Sequence, residues 1–327
     1  MTDSERMSGI WDYTIVGAGA VGCVIGARLA LLGKSVQLIN RSPATSEAVL
    51  ARGLLLRVDG MTHKADVRAC TPDQAQASRV AVVLTKTHQL EAAVSALLPA
   101  LADAVWVTLQ NGLGNGQRLA AWVGEDRVVH GVTMLPAVLH APADVSTHGS
   151  SLTWLGPLSE PATPLADACC DALVADLAAA GIEAERVGAI QNKIWQKACF
   201  NSAMNGLCAI SNGGPGLLKD VPDGLALAHE LVDEISAVAL ADGATIDVAA
   251  VHALVELGAA EHRYHKPSML QDLRAERLTE VEALNGTVDQ RARVLGIDAP
   301  LNRMLLRLMR LRERAPAFWA TQATNSQ

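Results

Sequence analysis

A glycine-rich segment near the start of the chain constrains the fold more than any other feature. Residues 15–22 read Ile-Val-Gly-Ala-Gly-Ala-Val-Gly, which places glycines in the spacing G-x-G-x-x-G. Residues 12–16 have the composition of a strand, and the residues that follow, to about position 32, that of a helix. Between a strand and a helix, this spacing is typical of a loop that binds the pyrophosphate of a dinucleotide. The predicted cofactor-binding residues are Gly17, Ala18, Gly19, Ala20, Val21 and Gly22. The alternative is a glycine turn in a flavodoxin-like domain that binds no nucleotide.

The pattern of apolar residues divides the chain in two near Gly188. Before that residue, β-rich runs alternate with helical runs, and strands are predicted at 12–16, 35–39, 79–84, 104–109, 127–134, 151–155 and 182–187. Such alternation predicts an α/β domain with a doubly wound, largely parallel sheet. After Gly188, only helices are predicted, at 189–209, 223–242, 248–260, 269–295 and 300–313. We therefore expect a flexible tail over 1–11, a Rossmann-type domain over 12–188 and an all-α domain over 189–320.

Length and composition exclude several classes of protein. A chain of 327 residues suits two domains, and a net charge of −7 without a basic block argues against nucleic acid as a partner. The six cysteines show neither C-x-x-C pairs nor metal-ligand spacing, which predicts buried free thiols, a reducing compartment and no metal. No apolar run could span a bilayer and the N-terminus lacks a signal core, so we expect no membrane partner and a cytoplasmic location.

The residues that follow three predicted strands indicate how a cofactor would be bound. The second strand is followed by Asn40, Arg41 and Ser42, without the acidic residue that binds the ribose 2′-hydroxyl of NAD. A guanidinium there suits a 2′-phosphate, so NADPH is predicted over NADH; the alternative is an exposed loop arginine. Lys86 and Asn111 follow two further strands, and ligands bind at the carboxyl ends of strands in such sheets.

Polar residues recur at every fourth position in the helix predicted at 189–209. Lys193, Lys197, Asn201 and Asn205 therefore share one face. The two asparagines lie among large apolar residues, which indicates a water-filled cleft; the alternative is a solvated surface stripe with a cap.

A second helix carries acidic residues at intervals of four. Ser268 is predicted as its N-cap, with Gln271 three residues further on. The acidic residues are Asp272, Glu276 and Glu280. Composition alone favours an exposed acidic face paired with arginines.

Taken together, five motifs resemble the ketopantoate reductase (2-dehydropantoate 2-reductase) family over residues 12–313. They are GAGAVG at 17–22, LTKTHQ at 84–89, QNGLGN at 110–115, NKIWQKACFNSAMN at 192–205 and PSMLQDLRAERLTEVEALNG at 267–286. The last two are much more specific than the glycine loop. The resemblance implies a C-terminal domain of 6-phosphogluconate dehydrogenase-like architecture.

The resemblance also implies an activity, the NADPH-dependent reduction of ketopantoate to pantoate in pantothenate biosynthesis. It implies that Lys197 and Glu280 are the catalytic residues, with Lys197 as the general acid and Glu280 close to cofactor and substrate, where it would orient the lysine or the substrate hydroxyl. The implied substrate-binding residues are Lys197, Asn201, Asn205 and Ser268. The implied cofactor-binding residues outside the glycine loop are Arg41, Lys86, Asn111, Ala137 and Glu280. A small 2-oxo acid is the expected partner, and relatives of this type often form homodimers through the helical domain.

Three departures from the family pattern leave the substrate open. Ala143 stands where many members have the glycine of a Pro-Gly turn, and His265 stands where some have asparagine. Pro215 falls where some members have a substrate-contacting asparagine, a role that Asn212 could take. The alternatives are a reductase of another 2-oxo acid and a non-catalytic NADP(H)-binding sensor.

Overall fold

The structure is a computed structural model that describes residues 9–149, 152–159 and 161–325, with side chains described to residue 319. The predicted tail at 1–11 therefore lies mostly outside the described residues. The chain packs as two compact units. Unit one runs to Gln110 and resumes at Asn115–Ile190; unit two comprises Asn111–Gly114 and the chain from Gln191 onwards.

Unit one contains two sheets. Its strands, over the described residues, are β1 (Trp11–Val16), β2 (Val36–Ile39), β3 (Leu54–Val58), β4 (Met61–Ala65), β5 (Arg68–Cys70), β6 (Ser78–Val83), β7 (Val105–Thr108), β8 (Val128–Thr133), β9 (Val138–Ala141), β10 (Asp144–Ser146), β11 (Leu152–Pro157) and β12 (Glu183–Arg186). The larger sheet has the order β12-β11-β8-β7-β6-β1-β2-β5. Its neighbours are parallel except β8 and β11, which are antiparallel. The predicted doubly wound, largely parallel sheet is thus confirmed.

Helices cover both faces of this sheet. They are α1 (Ala20–Leu31), α2 (Pro43–Arg52), α3 (Leu90–Leu97), α4 (Asn115–Val123) and α5 (Pro164–Ala179). Adjacent residues of β1 enter different cores: Ile15 packs in a core with residues of α1 and α5, and Val16 in a core with residues of α3 and α4. Because side chains alternate across a strand, a sheet covered on both faces needs apolar residues at consecutive positions. This requirement explains the continuous apolar runs in the sequence.

The sequence does not predict the second sheet, which has the order β4-β3-β10-β9. Its strands are three to five residues long, and most of β4 is exposed, so the apolar pattern that marks a buried strand is missing. The turn between β9 and β10 contains Ala143, whose φ of 57° is in the left-handed region. Glycine adopts that conformation more readily than alanine does.

Unit two is helical. Past Gly188, the described chain forms α6 (Ile190–Ile210), α7 (Pro215–Asp220), α8 (Pro222–Ala241), α9 (Val248–Glu261), α10 (Ser268–Arg274), a π-helical turn (Glu282–Gly286), α11 (Thr287–Leu295) and α12 (Pro300–Asn325). No strand occurs in this part of the described chain, which confirms the predicted all-α architecture.

The prediction of a single helix over residues 269–295 is wrong. Helix α10 ends at Arg274, Glu276 has a left-handed φ of 52°, and helical structure resumes only at the π-helical turn. The break is stabilised by a contact distant in sequence, because the backbone N–H and hydroxyl of Thr279 both donate to the carboxylate of Glu313 on α12. Local helix propensity contains no information about such a partner.

The start of α10 also differs from the prediction. Pro267 occupies the N-cap position and Ser268 is the first helical residue, with no capping hydrogen bond from its hydroxyl. The amide of Gln271 instead donates to the carbonyl of Lys266 at 2.6 Å.

Three further findings concern the cysteines, metal binding and membrane-spanning helices. All six cysteines are buried free thiols, as the sequence predicts. Within the described ranges, no group of three or more His, Cys, Asp or Glu side chains could hold a metal ion. None of the helices in those ranges is long and apolar enough to cross a bilayer.

The packing of α1 on β2 yields a stability prediction. Leu38 is fully buried, and a Cβ added to Gly26 would lie 2.7 Å from its Cδ2 atom. We expect Leu38→Ala to lower the free energy of unfolding by about 2–5 kcal/mol, measured by urea denaturation. The control is Leu50→Ala, since Leu50 is 90% exposed on α2 and its loss should change the value by less than about 0.5 kcal/mol. Equal losses of unfolding free energy in the two variants would contradict the burial of Leu38 in this core.

Candidate active site

The glycine loop of unit one has the shape that a dinucleotide requires. Gly17 has a φ of 107°, and a Cβ there would lie 2.7 Å from the backbone nitrogen of Thr85. A Cβ on Gly22 would lie 2.2 Å from the carbonyl oxygen of Gly17, so neither position accepts a side chain. Around Gly19 nothing lies within 4 Å of the Cβ position, and α1 begins beside it without a side-chain cap. The N-terminus of α1 thus has no side-chain cap, and helix N-termini of this kind bind anions such as a pyrophosphate.

Three loops reach the same edge of the large sheet. Val16 lies opposite Ile39 of β2 and Val83 of β6 in the parallel register, so the strands end at the same level. The glycine loop, the segment with Arg41 and the segment with Lys86 follow these strand ends. The sheet thus brings the glycine loop, Arg41 and Lys86 to one edge.

Arg41 lies at the surface beside β2. Its side chain is exposed and forms no hydrogen bond or ion pair with the residues that the structure describes. Ser42 caps α2 by accepting a hydrogen bond from the backbone of Ala44, and the amide of Asn40 donates to Thr45 at 2.9 Å. These local bonds fix the backbone on both sides of Arg41 and leave its guanidinium accessible to an anion.

The other two predicted residues of unit one are partly buried. Lys86 is half-buried at the start of a 3-10 turn (Thr87–Gln89). Ala137 is half-buried in the segment before β9 and packs against the core that contains Ile15 and residues of α1 and α5.

The sequence motif at 110–115 contains a structural residue whose role sequence reasoning missed. The amide nitrogen of Gln110 donates to the carbonyl oxygen of Thr85 at 2.8 Å, and its amide oxygen accepts from the Thr108 hydroxyl at 3.2 Å. Gln110 therefore ties the loop after β6 to the end of β7. A glutamine after a strand carries no sequence signal for such a bond.

In unit two, the polar stripe of α6 is not a solvated surface. Asn201 is 8% exposed, and Lys197 and Asn205 are half-buried. These three side chains lie on one helical face at intervals of four residues. They provide one cation and two neutral groups that can both donate and accept hydrogen bonds.

The carboxylate of Glu280 lies near this stripe. Burial lowers the pKa of Lys197 to about 8, and the negative charge of Glu280 partly opposes that shift. The amide nitrogen of Asn111 donates to Glu280 at 3.4 Å. Lys197, Glu280 and Asn111 are therefore brought together within unit two.

The interpretation that composition favours, an exposed acidic helical face, is wrong. Asp272 is 3% exposed and Glu280 is 6% exposed, so only Glu276 of the three acidic residues is at the surface. Asp272 is paired with Arg277 at 3.0 Å. Asp272 is buried within α10 itself, and the break after Arg274 removes Glu280 from the helical spacing on which a common face depends.

The loop Asn111–Gly114 packs closely on the π-helical turn. The N–H of Leu113 donates to the carbonyl oxygen of Ala283 at 2.8 Å. Gly112 has a φ of 99°, and a Cβ there would lie 2.7 Å from the side chain of Ala283. This close approach requires glycine and holds Asn111 at a fixed distance from Glu280.

A buried amide pair connects the π-helical turn to two helices. The amide nitrogen of Asn285 donates to the carbonyl of Ser202 on α6 at 3.2 Å and to the side chain of Asn302 on α12 at 2.9 Å. Asn302 returns a bond to the backbone of Asn285 at 3.0 Å. Both asparagines are fully buried, so the segment that follows Glu280 is held firmly against the helix that carries Lys197.

Two predicted substrate contacts are not joined to this cluster by hydrogen bonds. Ser268 is half-buried, and its hydroxyl bonds to no other side chain among the described residues. The side-chain oxygen of Asn212 accepts from Arg274 at 2.9 Å, so the oxygen that would replace the missing loop asparagine is already engaged.

The charge environment of Lys197 yields a prediction that needs no substrate. We expect its amine to titrate near pH 8, measured as the pH dependence of acetylation by acetic anhydride with mass-spectrometric quantification. Glu280→Gln removes the charge that raises the pKa, so the midpoint should move to lower pH. The exposed Lys219 serves as the reference in each sample. An unchanged midpoint would show that Glu280 does not act on Lys197.

Comparison with known sequences identifies relatives of the whole chain. Residues 13–160 match the family model described as ketopantoate reductase PanE/ApbA, and residues 189–313 match the model of its C-terminal part. The 2-dehydropantoate 2-reductase of Archaeoglobus fulgidus is 32% identical over 296 residues, which are 90% of this chain and 96% of that protein. The 2-dehydropantoate 2-reductase of Pyrococcus horikoshii is 30% identical over 300 residues, 91% of this chain and 96% of that protein.

Solved structures agree with these matches. A PanE/ApbA family ketopantoate reductase from Ralstonia eutropha has a TM-score of 0.83 at 31% identity, over 93% of this chain and 99% of that one. A D-mandelate dehydrogenase in a ternary structure with NADH and anilino(oxo)acetate has a TM-score of 0.87 at 26% identity, with the same coverage. Both units, the glycine loop and the matched sequences together show that this chain belongs to the ketopantoate reductase family and is a nicotinamide-dependent oxidoreductase of that type.

Proposed function

We propose that the protein reduces 2-dehydropantoate (ketopantoate) to pantoate with NADPH, and that Lys197 is the general acid. The observation that carries the proposal is the Lys197–Glu280 pair, a partly desolvated ammonium beside a buried carboxylate. A pKa of about 8 leaves Lys197 mostly protonated at neutral pH yet able to release its proton readily.

The bound cofactor supplies a hydride to the carbonyl carbon of the substrate. Negative charge then develops on the carbonyl oxygen, and the ammonium of Lys197 stabilises that charge and transfers its proton to the oxygen. Because the acid must be protonated, we infer that turnover declines as the pH rises through about 8.

Other side chains of unit two would orient the substrate. Glu280 raises the proton affinity of Lys197 and so partly opposes the effect of burial. Asn201 and Asn205 would bind the hydroxyl groups of the substrate, since amides both donate and accept. Ser268 would bind the carboxylate.

The cofactor would lie along the carboxyl edge of the large sheet. The glycine loop would hold the pyrophosphate, and Arg41 the 2′-phosphate. Lys86, Asn111 and the backbone of Ala137 would make further contacts, and Glu280 would lie near the nicotinamide.

Reduction of another 2-oxo acid is the second candidate. The fold similarity to a D-mandelate dehydrogenase bound to anilino(oxo)acetate favours it, because that ligand is a bulkier 2-oxo acid derivative. His265 and Pro215 also depart from the family pattern near the predicted substrate side of unit two. A non-catalytic NADP(H) sensor is disfavoured because both Lys197 and Glu280 are present and close.

The test is the loss of NADPH absorbance with ketopantoate and with a panel of other 2-oxo acids. We expect rapid oxidation with ketopantoate, and we expect Lys197→Ala to lower kcat by about 10²–10⁴-fold, the usual contribution of a general acid. The variant should still bind NADPH in a fluorescence titration. Turnover of only another 2-oxo acid would retain the mechanism and change the substrate. Normal turnover by Lys197→Ala would remove Lys197 from its role.

Cofactor preference gives a separate prediction. Arg41→Ala should raise the KM for NADPH much more than the KM for NADH, by about tenfold or more, because only NADPH carries the 2′-phosphate that a guanidinium binds. Steady-state kinetics with both cofactors measure the two values. Equal changes would mean that Arg41 does not contact the 2′-phosphate.

A further inference from the structure

Glu280 lies in an irregular segment whose orientation no helix dictates. Helix α10 ends at Arg274 and the π-helical turn begins at Glu282; between them, the N–H groups of residues 275–277 bond back to carbonyls of α10. On the downstream side, the carbonyl oxygen of Glu280 accepts from the N–H of Leu284 at 3.1 Å. The upstream side needs a different partner.

That partner is Glu313 of α12. One oxygen of its carboxylate accepts both the backbone N–H of Thr279, at 2.8 Å, and the Thr279 hydroxyl, at 2.6 Å. The same hydroxyl accepts from the N–H of Val281 at 3.1 Å. Thr279 and Val281 flank Glu280, so a single network that ends at Glu313 holds the backbone on both sides of it.

The chemistry of this network suits a rigid anchor. Thr279 is only 6% exposed, so water cannot easily replace its partner. A carboxylate is an acceptor of charge-assisted hydrogen bonds, which are shorter and stronger than neutral ones. Two such bonds to one residue fix both its position and its rotation.

We propose that Glu313 is a positioning residue, which clamps Thr279 and thereby keeps the carboxylate of Glu280 beside Lys197 and Asn111. Glu313 contacts Thr279 and acts on the reaction only through it. The kinetic part of this inference rests on the function proposed above, whereas the effect on Lys197 can be measured without any substrate.

Within unit two, Glu280 is the charged group that acts on Lys197, so a displaced Glu280 has a predictable signature. Without the nearby carboxylate, burial lowers the proton affinity of Lys197 further. Glu313→Ala should therefore move the acetylation midpoint of Lys197 to lower pH, in the same direction as Glu280→Gln. Glu313→Gln keeps an oxygen that can accept the Thr279 bonds and should restore most of the wild-type midpoint.

Arg310→Ala is the matched control. Arg310 lies one turn before Glu313 on α12 and pairs with Glu282 of the π-helical turn at 2.6 Å. This pair is exposed and joins α12 to the neighbouring π-helical turn without touching Thr279. The control should therefore keep the wild-type midpoint of Lys197.

Kinetics with the 2-oxo acid that the wild type reduces give the second readout. In Glu313→Ala, kcat should fall by about 10- to 100-fold, the loss that a misplaced group of roughly 1 Å can cause. The KM for NADPH should change much less than kcat, because the glycine loop and Arg41 are untouched. Glu313→Gln should recover most of kcat.

Thr279 keeps the inference testable if Glu313→Ala does not fold. Thr279→Val removes the hydroxyl and its two hydrogen bonds, and should shift the Lys197 midpoint; Thr279→Ser retains them and should not. The inference is overturned if Glu313→Ala or Thr279→Val leaves the midpoint unchanged, or if Arg310→Ala shifts it as much as Glu313→Ala. A shifted midpoint in a protein whose wild type reduces no 2-oxo acid would sustain the positioning role and refute the proposed function.

Discussion

A lysine amine removed from water is the constraint on which the site in unit two depends. Burial favours the neutral form of Lys197, and the negative charge of Glu280 partly opposes that effect. The carboxylate of Glu280 is itself buried, so the two groups lie together in a poorly hydrated place. The two groups must therefore be held at a fixed separation, and the surrounding structure supplies the means.

Glu280 is held by partners from several parts of the chain. Asn111 bonds its carboxylate, Glu313 bonds the preceding residue, and the buried pair of Asn285 and Asn302 anchors the turn that follows. A π-helical turn contains a wider backbone ring than an α-helix and commonly occurs at functional sites. Here it lies directly after Glu280, where a regular helix would direct the side chains differently.

In unit one, the decisive interactions are close backbone approaches. A Cβ on Gly17 or Gly22 would collide with neighbouring backbone, whereas nothing lies within 4 Å of the Cβ position of Gly19. The pyrophosphate site that we propose there therefore depends on the absence of side chains. The large sheet adds the second requirement, because parallel strands in register bring separate loops to one edge.

The sequence by itself determined the fold class and the family, and it singled out Lys197, Asn111 and Glu280, which the structure brings close together. The apolar pattern predicted the parallel sheet and the helical unit. A strand buried on both faces has a continuous apolar run, and a helix buried on one face has apolar residues every three or four positions. Spacing likewise placed Lys197, Asn201 and Asn205 on one face. The tertiary structure alone decided the break after α10, the burial of Glu280 and the contact between Thr279 and Glu313. These depend on hydrogen bonds between residues more than thirty positions apart, and local patterns cannot encode which distant group will satisfy a backbone N–H.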